Sequence, residues 1–206
     1  MRYFAPIADF VTGGRLRTRV RSSASEIFLT FDDGPHPLYT GRILSLLEQY
    51  RASATFFLIG ANALKHQDVV RDIVAKGHKI GNHSFSHPRW RKISRALRHS
   101  EVSRTDAVLA NFDGQEKHDF RPPRGEIAVS SALSCICRRA RITHWSRDSY
   151  DYRLSADAVV SGMRLPRVRP GDIILFHDDQ PVAAEALEVL LPEWVAQGMS
   201  CRRLPD

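Results

Sequence analysis

Short apolar runs alternate along the chain with stretches whose apolar residues recur at helical spacing. Residues 26–31 (EIFLTF) read as a strand that breaks abruptly at Asp32-Asp33-Gly34-Pro35. A helix is predicted after Thr40, its expected N-cap, with Ile43, Leu46 and Leu47 on one face. Residues 54–59 (ATFFLI) form the second strand pattern. The next helix carries Val69, Val70, Ile73 and Val74 and stops at Gly77, where a C-cap glycine belongs. A short strand at 78–81 leads directly into Asn82 and His83. Beyond it the pattern predicts a long helix over 93–112, a strand end at 120–123, a helix over 129–139 and an extended stretch at 142–146. A helix over 156–165 and a buried strand at 172–176 (DIILF) follow. The last helix places Ala186, Val189, Leu190 and Trp194 on one side and ends at Gly198, before a final strand at 200–204. This alternation predicts an α/β protein built on a parallel sheet, open or closed. No repeat, low-complexity segment or long linker divides the chain, so residues 1–206 are expected to form a single domain.

Composition narrows the class without choosing a function. The 206 residues are 43% hydrophobic and 26% charged, an ordinary balance for a soluble globular protein. No apolar run approaches the roughly 20 residues needed to cross a bilayer, so no transmembrane segment is expected. The apolar patch at 7–11 precedes its positive charges, unlike a signal peptide, and a cytoplasmic location is the expectation. The net charge of +7 raises the question of nucleic acid, but the arginines are scattered. No aromatic RNA-binding pattern, recognition helix or Cys/His finger accompanies them. A solvated basic surface is the reading, with no nucleic-acid partner. Cys135, Cys137 and Cys201 are an odd set with two members too close for a usual bridge, and read as buried or free thiols. The oligomeric state is left open.

Chemistry-bearing residues fall where predicted strands end. Asp32 and Asp33 follow the first strand, His83 and His87 the third, Arg121 and Arg124 the fourth, Asp148 and Asp151 the fifth, and His177 the sixth. Parallel α/β folds gather such positions on one face, at the C-terminal ends of the strands. Each feature alone has a plain alternative: Asp-Asp-Gly-Pro equally fits a solvated turn. Histidines four apart share a face if their segment is helical, and can then converge on one metal ion, but such a pair is also exposed by chance. Together, two histidines and one carboxylate supply three metal ligands and leave positions open for water, as hydrolytic sites require.

The ordered set resembles the NodB-homology polysaccharide deacetylases, carbohydrate esterase family 4. Its first motif, Thr-Phe-Asp-Asp-Gly-Pro, is complete at residues 30–35; His-Ser-x-x-His occupies 83–87; Arg-x-Pro-x-Gly occupies 121–125. Asp148-Ser149-Tyr150-Asp151-Tyr152 matches Asp-x-x-Asp-Trp with tyrosine in place of tryptophan, and Leu175-Phe176-His177 matches Leu-x-His. All five occur in family order within the motif core, 26–180. The resemblance implies a distorted (β/α) barrel, usually of seven strands, and a metal-dependent hydrolase removing acetyl from N-acetylated glycans. It implies that Asp33, His83 and His87 hold a divalent ion, commonly zinc. Asp32 would be the general base, oriented by Arg121, and His177 the general acid, paired with Asp151. The backbone N–H of Arg124 would serve an oxyanion, and Leu175 and Tyr152 would line the acetyl pocket. Tyr152 adds a hydroxyl to that pocket, and Arg124 stands where the family often has an aromatic residue. Chitooligosaccharide, peptidoglycan strands and lipid- or nucleotide-linked sugars all remain open as substrates. A hydrolase of another C–N bond, a non-catalytic glycan-binding module and a basic nucleic-acid binder are the competing readings.

Overall fold

The computed structural model describes residues 16–22, 24–126 and 141–206. The predicted helix at 129–139, the patch at 7–11, and Cys135 and Cys137 lie outside them. Strand β2 (Glu26–Asp32) is the hinge of the sheet. One edge pairs with β7 (Ile173–His177) from Phe28 to Asp32. The other edge pairs first with β8 (Ser200–Arg202) and then with β3 (Thr55–Leu58). Strand β4 (Lys79–Asn82) follows β3, and β6 (Arg147–Asp148) flanks β7, giving the order β4-β3-β2-β7-β6 with β8 also on β2. Every one of these ladders is parallel.

Parallel neighbours need crossovers, and helices supply them. Helix α1 (Tyr39–Gln49) joins β2 to β3, and α2 (Gly60–Lys65) with α3 (Gln67–Ala75) joins β3 to β4. Helix α4 (Arg95–Asp113) follows β4, α5 (Ala156–Met163) precedes β7, and α6 (Val182–Ala196) joins β7 to β8. A separate parallel pair, β1 (Leu16–Arg17) with β5 (Ile142–Thr143), lies beyond β4. Single parallel bridges from Phe120 to Asn82 and to Ile142 span the gap between β4 and β5. Among the described residues regular ladders therefore do not run the whole way round, and the α/β fold is a distorted barrel.

Burial on both faces explains the near-continuous apolar strands. In β2, Ile27, Leu29 and Phe31 pack outward into the core shared with the helices, together with Ile174 and Phe176 of β7. The alternate residue Phe28 packs inward with Phe57, Ile173 and Leu204. Thr30 and Asp32 continue that inward row, and they are polar.

Three local expectations are corrected. Helix α1 begins at Tyr39 after Leu38 with no side-chain cap, so Thr40 is not an N-cap. Its buried hydroxyl instead accepts from the His36 N–H at 2.8 Å and donates to Asp178 at 2.5 Å. The helix expected to carry Val69, Val70, Ile73 and Val74 is α3, with Gly77 beyond its end at a left-handed φ of 79°, and the short α2 before His66 is an addition to it. Residues 120–123 do not extend a strand: Phe120 makes only isolated bridges, and Pro123–Gly125 turns as a short 3-10 segment. Prolines 122 and 123 have no N–H to give a ladder. Val189 is 41% exposed, off the stripe of Leu187, Leu190, Leu191 and Trp194 that α6 buries. Among the described residues no helix is long and apolar enough to cross a membrane.

Candidate active site at the strand ends

Asp32 closes β2 and His177 closes β7, directly opposite each other in the parallel register. Asp33 follows at φ 75°, a left-handed residue that ends the strand. Its Oδ1 lies 3.4 Å from His83 Nε2 and 3.3 Å from His87 Nε2. These three groups offer ligand atoms within 4.8 Å of one another. The two histidines do not share a helix. Residues 83–87 form a loop after β4, kinked by left-handed Ser84 (φ 69°) and His87 (φ 51°). The pairing expected from helical spacing is thus reached by a different backbone.

The donor set fits a divalent cation. Asp33 Oδ1 is buried and has no hydrogen-bond partner. His83 Nδ1 lies 2.8 Å from the carbonyl oxygen of Arg121. A carbonyl only accepts, so Nδ1 carries the proton and Nε2 is the atom turned toward the carboxylates, as in metal-ligating histidines. Burial opposes charge on His83, but Asp32 and Asp33 outweigh it and raise its pKa. Burial would likewise raise the Asp33 carboxyl, yet His83, His87 and His177 hold it well below the usual carboxylate range. His87 moves down, through burial first and the neighbouring His83 second.

Asp32 is held differently. Arg121 is fully buried, and its Nη1 donates to Asp32 Oδ1 at 2.7 Å and to Thr30 Oγ1 at 2.8 Å. Its remaining donors reach the carbonyls of Thr143 and His144. The guanidinium lies 4.2 Å from the Phe57 ring centroid and 5.6 Å from that of Trp145. A planar cation clasped between rings and carbonyls has one orientation, and so has the carboxylate it holds. Asp32 Oδ2 is left 3.7 Å from His83 Nε2, facing the same space as Asp33.

His177 is fixed twice by Asp151, which accepts from the His177 backbone N–H at 2.7 Å and lies 2.8 Å from Nδ1. Burial would lower the imidazole pKa, but this carboxylate, helped by Asp32 and Asp33, pushes it up to about 9. Tyr152 is half exposed and meets the His177 ring edge-on at 5.3 Å. Leu175 is buried two residues earlier on β7, paired with Thr30 on the inward row. Arg124 is exposed at φ 56° and close enough to depress His87 by its charge. Asp148 accepts from the Tyr150 N–H at 2.9 Å, a turn role.

Several supporting residues had no signature in the sequence. Asp178 is fully buried beside Gly34, where an added Cβ would collide with its carboxylate, and burial pushes it up to about 7. Asn82 donates to Asp106, which lies 3.3 Å from buried His118. Glu101 reaches the 83–87 loop from α4. Only adjacency to a motif, at Asn82 and Asp178, could have drawn attention to any of them.

A parallel α/β barrel with carboxylates, imidazoles and a buried arginine gathered at its strand ends is the architecture of a hydrolase. The family model for polysaccharide deacetylases matches residues 19–135. A peptidoglycan-N-acetylglucosamine deacetylase of Bacillus cereus is 34% identical over 187 residues, covering 88% of this chain and 68% of the relative. A chitooligosaccharide deacetylase of Sinorhizobium fredii is 35% identical over 215 residues, covering 93% and 96%. Among solved structures, the Bc1960 peptidoglycan N-acetylglucosamine deacetylase superposes with a TM-score of 0.89 at 31% identity, covering 96% of this chain and 94% of that one. A family 4 carbohydrate esterase from Streptomyces lividans superposes with a TM-score of 0.77 at 31% identity, covering 85% and 91%. The chain belongs to the polysaccharide deacetylase family, carbohydrate esterase family 4, and its class is that of the carbohydrate N-deacetylases.

Proposed function

We propose that this protein, acting as one deacetylase domain across 1–206, removes the acetyl group from an N-acetylated oligo- or polysaccharide with a divalent metal ion, zinc in our reading. The observation that carries this is the cluster of Asp33, His83 and His87, set between an arginine-held carboxylate and a carboxylate-held imidazole. Asp33, His83 and His87 would hold the ion. When bound, such an ion supplies Lewis-acid polarisation of the acetyl carbonyl and acidifies water at the site.

The chain's own residues do the rest. Asp32 stays outside the ligand set, tethered by Arg121, and takes the proton from the attacking water. The backbone N–H of Arg124 donates to the developing oxyanion, and loss of one such donor typically costs about 2.7–4 kcal/mol. The amide nitrogen leaves as an amine only if protonated, and His177 is the group that gives that proton. Asp151 holds the imidazole in place and favours its charged form. Leu175 and Tyr152 flank the acetyl methyl group, and the Tyr152 hydroxyl makes that pocket more polar than a tryptophan would.

The relatives named for chitooligosaccharide and for peptidoglycan support an N-acetylglucosamine-containing glycan. The test is acetate release from N-acetylated oligosaccharides of graded length, with chelator-treated protein and after zinc is restored. Release that needs the ion supports the reading, while release indifferent to the chelator, or none from any chain length, overturns it.

A further inference from the structure

Only the first amide of the 83–87 loop, that of His83, still donates to a strand, at 3.0 Å to the Leu58 carbonyl, and two of the five residues are non-glycine residues in the left-handed region. Such backbone is costly unless the surroundings impose it. Here side chains capture four successive N–H groups. Asn82 Oδ1 accepts from Ser84 at 2.9 Å, and Ser84 Oγ accepts from His87 at 3.2 Å. The two in between go to a single atom: Glu101 Oε2 accepts from Phe85 at 2.9 Å and from Ser86 at 2.8 Å. Glu101 Oε1 accepts the Ser86 hydroxyl at 2.9 Å. On the other side, the first amides of α2 grip the loop's carbonyls, Gly60 N–H to Ser84 and Ala61 N–H to Phe85, both at 3.0 Å. Helix α2 approaches so closely that a Cβ on Gly60 would press on Phe85 and Thr105.

Glu101 is only 5% exposed. A buried carboxylate is expensive unless hydrogen bonds fill its lone pairs, and here three donors from one short loop do so. We propose that Glu101 is a positioning residue for the metal site. By holding the Phe85 and Ser86 amides, it maintains the left-handed turns at Ser84 and His87 and so sets the His87 imidazole against Asp33 and His83. This rests on the reading of Asp33, His83 and His87 as ligands. Groups that orient ligands in this way typically change metal affinity by about 10–100-fold when lost.

Two substitutions separate geometry from charge. In Glu101→Gln the amide oxygen still accepts from both backbone N–H groups, and the Ser86 hydroxyl rotates to accept from the new NH2. In Glu101→Asp the charge stays, but the oxygens retreat by one methylene. Zinc affinity is measured by competition with a chromogenic chelator, alongside amide exchange of the loop in the metal-free protein. Expected are a roughly 10–100-fold weaker affinity for Glu101→Ala, a clear loss for Glu101→Asp, and near wild-type binding for Glu101→Gln. Exchange at Phe85 and Ser86 should quicken in the same order. If Glu101→Ala does not fold, the order of the Gln and Asp variants still decides. Asp binding as well as or better than Gln, or Ala binding like wild type, overturns the proposal and leaves the ligand set standing. Wild-type protein that binds no zinc overturns the ligand set, and this proposal with it.

Discussion

Asp151→Asn removes one negative charge and one acceptor from the side chain that fixes His177 at two points. The Asp151 hydrogen bond and charge outrank Asp32 and Asp33 among the influences that raise His177 to about 9 against burial. Without them, burial pulls the imidazole back toward or below its ordinary value of 6.5. At pH 8 a group with a pKa of about 9 is about nine-tenths protonated, whereas one at 6.5 is about 3% protonated. The acid form therefore falls about 30-fold at pH 8 and hardly at all at pH 6. Tautomer adds to this. Two N–H groups converge on Asp151, and an asparagine NH2 turned toward Nδ1 stabilises the imidazole without its Nδ1 proton. Turnover of the variant should thus drop at every pH and drop most above pH 7, with the alkaline limb displaced downward.

The assay is kcat against pH for wild type, Asp151→Asn and His177→Ala, on an oligosaccharide and on an activated acetyl ester. His177→Ala should lower kcat about 10²–10⁴-fold on the amide, the usual contribution of one positioned acid, with KM changed far less. An ester's alcohol departs without much help, so the defect should shrink on that substrate. Equal defects on both substrates, or an alkaline limb unmoved in Asp151→Asn, would refute the reasoning and leave His177 as a binding group.

Asp32→Asn should keep about one metal ion per chain and lose most turnover, whereas Asp33→Ala should lose both; elemental analysis beside acetate release checks this, and the reverse pattern exchanges the two roles. Arg121→Met strands a buried Asp32, and breaking a buried pair this way costs about 3–5 kcal/mol. Adding Asp32→Asn should restore part of the stability in urea unfolding, and no recovery would mean that the ring and carbonyl contacts of Arg121 dominate. His118, buried between Asp106 and Asp113, is raised to about 9 because those carboxylates outweigh burial. Its stabilisation is complete below pH 6.5 and lost as pH rises through 9. The stability gap between wild type and His118→Gln should close across that window, and a gap constant with pH contradicts the ion-pair account.

The elements most legible in the sequence were those buried on both sides. Glu26–Asp32 and Ile173–His177 contain the apolar runs 27–29 and 173–176 because parallel strands in this fold face core in both directions. Less legible features depended on partners distant in the chain. Strand β1 is two residues long and exists through β5, some 125 positions away. Helix α2 is six residues long, begins at Gly60 and includes Asn62, so its sequence carries little helical signal. Site residues divide in the same way. Asp32, His83 and His177 stand at strand ends, where polarity after an apolar run is conspicuous. Glu101 lies inside a helix of low amphipathicity, where a glutamate reads as a solvated face, and only the folded chain brings it to Phe85 and Ser86.

The adjacency of Asp32 and Asp33 shows how local chemistry and backbone combine. Successive residues of a strand point to opposite faces, so a β2 extended by one residue would send the second carboxylate toward the helices. The strand stops instead, and the φ of 75° at Asp33 returns its side chain to the inward side. Both carboxylates then lie within 4 Å of the same nitrogen, His83 Nε2, at 3.7 and 3.4 Å. What separates them is not distance from that nitrogen but the second partner of each. Asp32 is tied by Arg121, which satisfies one oxygen and fixes the plane of the other. Asp33 has a buried oxygen with no donor, lying between two imidazoles. A proton acceptor needs the first environment and a cation ligand the second, so a doublet of identical residues supports two roles. Gly34 allows this arrangement, because any side chain there would occupy the space of the Asp178 carboxylate packed beneath the turn.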